Sequence, residues 1–151
     1  PAATPATTPV PAAGQARATI ARLAQAARLA EGEPLAARFV YSLRLIALHE
    51  RVGRDPVPEL AVRLGSVAIA AKTLALAEAV RACWPENIRL NCFCSPVMTH
   101  DEATLAALVG ASLGRDKAEF DAQIEGFVRP SRVPRLWDAA LGLVTAELRA
   151  L

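Results

Sequence analysis

The stretch DPVPELAVRLGSVAIAAKTLALAEAVRAC, residues 55–83, decides the fold. Asp55 is a cap candidate, and Pro56 and Pro58 suit a first helical turn, where a missing N–H costs nothing. From there to Cys83 the pattern is helical and dominated by Ala, Leu and Val, the best helix former among them being alanine. Unbroken, such a helix spans about 28 residues, or ~42 Å at 1.5 Å per residue. Gly65-Ser66 is the expected site of a kink or a break. The later half is apolar nearly all round, which predicts a central, buried helix. Leu60 to Val80 has about the length of a membrane span. Lys72 near its middle carries a cost on insertion, however, so a buried helix is the reading and no membrane span is expected.

Helices are expected on both sides of it. Gln15–Glu31 has Ile20, Leu23, Ala27 and Ala30 at helical spacing and stops at Gly32. Pro34 opens a second helix running to about Val52, with Leu35, Phe39, Leu43 and Ile46 as its stripe. Pro85 ends the long helix, and Ile88-Arg89-Leu90 alternates as an extended segment would, with no second strand to pair with it. Thr99-His100-Asp101-Glu102 forms a capping box for a helix to Leu113, closed by Gly114. Asp116 to Glu119 opens another to about Val128, with Phe120, Ile124 and Phe127 inward. A last helix follows Arg129–Pro134, with Trp137, Leu141, Val144 and Leu148 as its stripe. The expected class is all-α: a compact bundle of five to six helices around a long apolar central helix. Residues 1–14, with Pro1, Pro5, Pro9 and Pro11 among Ala and Thr, read as an extended Pro-rich arm, and residues 15–151 as a single helical domain.

Composition narrows the function. The chain has 151 residues, is 53% hydrophobic and carries a formal net charge of +2. Counted with glycine and without tyrosine the apolar fraction is about 58%, against a usual ~45–50%; much of the excess is alanine, and it points to surface hidden by a protein partner or a second copy. Near-neutral charge without clustered basic side chains argues against nucleic acid. Arg129, Arg132 and Arg135 read as a solvated linker or a basic patch for an acidic partner. Three cysteines are too few, and odd in number, for a disulfide framework. With no signal peptide legible, the reducing cytoplasm is the expected compartment. Ser42, Ser66, Ser95, Ser112 and Ser131 occur without a nucleophile-elbow motif, and no Glu-x-x-His pattern marks a di-metal bundle.

One loop stands out chemically: Cys92-Phe93-Cys94-Ser95-Pro96, just before a helix N-terminus, which favours thiolate. Three readings stay open. The thiols are buried structural groups; or they bind one zinc or other transition-metal ion; or they do redox or nucleophilic work. A metal site needs further ligands, and His49, Cys83 and His100 are the soft candidates. At 100° per residue from Leu35, His49 falls beside Leu45 and Ile46 and away from Arg44 and Arg51. It is thus expected on the apolar side, as a hydrogen-bonded core histidine or a ligand. His100 is expected to face solvent.

The segment Arg44–Leu108 resembles a family of short bacterial proteins of unknown function. The likeness lies in Ile46-Ala47-Leu48-His49, the Ala/Leu-rich long helix, and Ile88-Arg89-Leu90 leading through the cysteine loop to Pro96-Val97-Met98-Thr99-His100-Asp101-Glu102. The family pattern sets adjacent cysteines before Pro-x-Met-Thr-x-Asp-Glu; here Phe93 and Ser95 interrupt that run. The resemblance implies that His49 and the cysteine loop belong to one domain plan, and it brings no activity. The expected function is a non-enzymatic interaction or accessory protein docking on a partner or on itself. A metal-binding domain and a thiol redox protein are the alternatives.

Overall fold

A computed structural model describes residues 27–151, and among these the fold is all-α. Six α-helices follow in order: α1 Pro34–Arg51, α2 Val57–Leu64, α3 Val67–Cys83, α4 His100–Leu113, α5 Lys117–Ile124 and α6 Val133–Arg149. The Pro-rich arm, and the expected first helix up to residue 26, lie outside the described residues. Its expected last turns are not α-helical. Arg28 is extended and bridges to Val97, with flanking bonds from Leu29 N to Pro96 O (3.0 Å) and Met98 N to Ala27 O (2.8 Å), and a single 3-10 turn, Leu29–Glu31, follows. Hydrogen bonds to a distant segment of the same chain compete here with a helix that local propensity favours.

Helix ends obey local chemistry. Glu33 caps α1 by accepting from the Ala36 N–H at 2.7 Å. The long helix expected over 55–83 is two. Gly65 adopts φ +69°, a left-handed conformation that ends α2, and extended Ser66 caps α3 by accepting the Ile69 N–H. Thr99 and Glu102 form the full capping box of α4, at 3.1 and 2.9 Å. Asp116 caps α5 through the Glu119 N–H. That helix stops at Ile124, short of Val128, because Gly126 turns the chain at φ +84°. Val128 is then buried, while Phe127 is partly exposed and edge-on to Trp84.

The helices share one interior. Phe39 from α1, Leu76 and Val80 from α3, Leu105 and Val109 from α4, Phe120 from α5 and Leu136 from α6 meet there. α3 packs chiefly on α6, and α4 on α1, α5 and α6. Instead of being enclosed all round, α3 buries Ile69, Ala70, Thr73, Leu76, Ala77 and Val80 and exposes Ala68, Ala71, Lys72, Ala75 and Glu78. Alanine counts as apolar in composition but presents too little area to force burial. α4 is the more enclosed helix, with only His100 fully exposed along it. In α6 the buried residues are Leu136, Ala140, Leu143, Val144 and Glu147; of the expected stripe Val144 is buried, Trp137 and Leu141 are half-buried and Leu148 is exposed. No helix among the described residues is long and apolar enough to cross a membrane.

Candidate functional site

The cysteine loop hangs between α3 and α4, and its backbone poses an accounting problem. Ile88–Asn91 belongs to no helix and pairs with no strand among the described residues. Its polar groups turn to the first turn of α4 instead. The Arg89 N–H donates to Asp101 Oδ2 (2.8 Å), the Asn91 N–H to Glu102 Oε1 (3.0 Å), and the Arg89 carbonyl accepts from Thr99 Oγ1 (2.6 Å). Alternate residues of an extended chain offer N–H groups to one side, so two consecutive helix-start carboxylates can serve them.

At the centre lies an ion pair that the sequence pattern did not announce. Arg44, expected on the polar side of its helix, is buried, and its side chain and that of Glu102 are both 0% exposed. Arg44 Nε and Nη2 donate to the two Glu102 oxygens at 2.7 and 2.8 Å, a bidentate fork. Nη1 and Nη2 also donate to the carbonyls of Ser95 (2.7 Å) and Val97 (2.8 Å). Glu102 further accepts the Thr99 and Asn91 N–H groups. No buried side-chain nitrogen or oxygen among the described residues lacks a partner, as so costly a burial requires. Desolvation alone pushes the Glu102 carboxyl up. The Arg44 hydrogen bonds, with the Thr99 and Asn91 N–H groups and the guanidinium charge, outweigh it and hold the carboxyl below its usual range. Hydrogen bonding to Glu102 outweighs desolvation at Arg44 and raises its guanidinium in turn. The pair joins α1, α4 and both ends of the loop.

Held in this way, the loop forms a turn in which Ser95 N donates to Cys92 O at 3.0 Å. Cys92 and Cys94 are both exposed, contrary to the reading of buried thiols, and their sulfurs lie 3.7 Å apart. Phe93 between them folds back, edge-on to Tyr41 at 6.1 Å and beneath the Arg63 guanidinium at 5.4 Å. Clamping the loop from its carbonyl side leaves the thiols on the outside of the turn.

The other candidate ligands are not gathered here. Cys83 is buried at the end of α3, its thiol facing the Arg132 carbonyl at 3.7 Å. His49 is only half-buried, and its Nδ1 lies 3.0 Å from the Leu45 carbonyl of its own helix. Leu45 and Ile46, beside which it was expected, are buried, but burial runs out over the last turn of α1, where His49 lies. His100 is exposed on the first turn of α4, as expected. Among the described residues, no three His, Cys, Asp or Glu side chains are grouped to hold a metal ion. Besides the Arg44–Glu102 pair, Tyr41 and Arg63 also went unnoticed in the sequence. A signal existed for the pair: an arginine inside Leu43-Arg44-Leu45-Ile46 needs a carboxylate, and the capping-box glutamate was the one whose position was already known. No family model, curated protein or solved structure matches the chain.

Proposed function

We propose that the chain is a thiol redox protein in which Cys92 and Cys94 cycle between two thiols and an intrachain disulfide. The observation that carries this reading is the 3.7 Å separation of two exposed sulfurs on a turn whose backbone is anchored from behind. Closing to the ~2.05 Å of a disulfide takes side-chain rotation and a small adjustment of the turn. Oxidation releases two electrons and two protons to an acceptor disulfide, which leaves as two thiols. Exposure and the small ring place the bond among labile disulfides, with potentials above the roughly −300 mV of structural ones. Incubating the reduced protein with glutathione disulfide, followed by mass spectrometry of peptides, tests it. The expected product lacks two hydrogens across Cys92–Cys94 and keeps Cys83 free. Only mixed adducts, or only bonds between chains, would overturn the reading.

A second reading, docking on a protein partner or a second copy, has its own support. A hollow of about 690 Å³ lies away from the thiols, between α5 and the start of α6, where Phe127, Val128, Pro130, Val133 and Pro134 line it. Light scattering coupled to size exclusion tests the self-association form, and a clean monomer across the accessible concentration range removes it.

A further inference from the structure

A second cavity opens beside the thiol pair, between α1, α2 and the loop. It measures about 330 Å³, and Arg38, Tyr41, Leu45, Arg63 and Phe93 are among its walls. That volume suits a small molecule. Two guanidiniums line it and, among the described residues, no carboxylate does. Their acidic partners hold them from outside the cavity: Glu147 pairs with Arg38 at 3.0 Å, and Glu59 with Arg63 at 2.6 Å. The Arg63–Glu59 pair joins half-exposed side chains one turn apart, an arrangement weak enough to exchange for another anion. Arg63 bonds Glu59 through Nε, which leaves the paired Nη edge for an incoming carboxylate. Phe93 and Tyr41 supply the apolar wall against which a ligand's carbon skeleton rests.

Covalent connectivity ties this cavity to the sulfurs. Phe93 is the central residue of Cys92-Phe93-Cys94, so each cysteine Cα lies ~3.8 Å from the Phe93 Cα. Neither cysteine lines the cavity, so a molecule held against Phe93 with its carboxylate toward Arg63 has to extend beyond it to bring its own sulfur atoms to the pair. We infer that this cavity selects the oxidant of the dithiol, and that the oxidant is a low-molecular-weight disulfide bearing carboxylates. This rests on the redox reading above. The exchange proceeds in two balanced steps. One cysteine thiolate attacks a sulfur of the anionic disulfide, forming a mixed disulfide and releasing one thiolate. The second cysteine loses its proton and attacks the protein sulfur of that mixed disulfide, closing the Cys92–Cys94 bond and releasing the second thiolate.

The test compares oxidation rates of the reduced full chain by three symmetrical disulfides at low ionic strength. Glutathione disulfide is anionic, 2-hydroxyethyl disulfide neutral and cystamine cationic. Each rate is divided by that of the same protein unfolded in urea, which removes differences in intrinsic reactivity. Electrostatic focusing by two arginines is expected to favour the anionic over the cationic reagent by about tenfold, a preference that collapses in high salt. Arg63→Gln should cut it to less than about threefold by the same argument, while Arg135→Gln, exposed on α6, should leave it intact. Equal normalised rates for the three reagents, with the intrachain bond forming in each case, overturn the selectivity and leave the redox reading standing. Failure to form that bond with any reagent overturns both.

Discussion

Replacing Arg44 by methionine removes one half of the buried pair and nothing of similar bulk. Four hydrogen bonds disappear, two to Glu102 and one each to the Ser95 and Val97 carbonyls. Val97 O keeps the Asn91 amide donor at 2.9 Å, and Glu102 keeps the Thr99 and Asn91 N–H groups. What remains is a carboxylate with 0% exposure and no countercharge. Leaving a buried charge in that state costs about 3–5 kcal/mol. Against the 5–15 kcal/mol typical of a domain, that is a large share. At roughly 2–4 °C per kcal/mol for chains of this size, it corresponds to a Tm lower by ~6–20 °C. The loss should also depend on pH. In the wild type the Glu102 carboxyl is depressed, so its contribution is fully present above the unfolded value of ~4.3 and is lost as pH falls through the lower folded value. In the variant, desolvation is no longer outweighed by Arg44, and the carboxyl rises. The variant therefore recovers stability on acidification, while the wild type begins to lose it. Urea unfolding of both proteins at pH 7 and near pH 4.5 measures the difference, which should be clearly smaller at the acidic pH. A loss of under about 1 kcal/mol, the size expected of an exposed pair, or one equal at both pH values, would refute the placement of this pair.

Two further outcomes follow from the same packing. Thr99→Ala deprives the Glu102 N–H of its acceptor and the Arg89 carbonyl of its donor; thermal unfolding should show a loss of about 1–2 kcal/mol, with faster alkylation of Cys92 and Cys94 as the loop loosens. Phe120→Ala empties a site with 0% exposure whose ring meets Trp137 edge-on at 5.0 Å. Denaturant unfolding should show a loss of about 3–5 kcal/mol, and the tryptophan emission should shift in the folded state.

Legibility in the sequence followed the range of the forces involved. The capping box at Thr99–Glu102, the break at Gly65-Ser66 and the stripe Phe39, Leu43 and Ile46 depend on neighbours within a turn or two, and all are present. The shortened α5 depended on Gly126, one residue whose turn outweighed an apolar pattern continuing to Val128. In α6, apolar residues lie on several sides, so periodicity alone did not select which stripe faces inward; packing against α3 and α4 did. Ala27–Leu29 left the helical pattern because Pro96–Met98, nearly seventy positions away, offers its backbone.

The cysteine turn divides along the same line. From the sequence alone came the all-helical class, the isolation of Cys92-Phe93-Cys94 between a proline-terminated helix and a capped one, and the position of Glu102 at the third residue of α4. Those are local properties of propensity, capping and spacing. Only the tertiary structure decided that Arg44 turns inward to meet Glu102, that both cysteines face outward at 3.7 Å, and that His49 and Cys83 stay apart from them. The reason is physical. A guanidinium between two apolar neighbours is stable in the interior only when a carboxylate and carbonyl acceptors arrive from elsewhere in the chain, and the loop that brings those carbonyls is turned thiol-side out by the act of binding it.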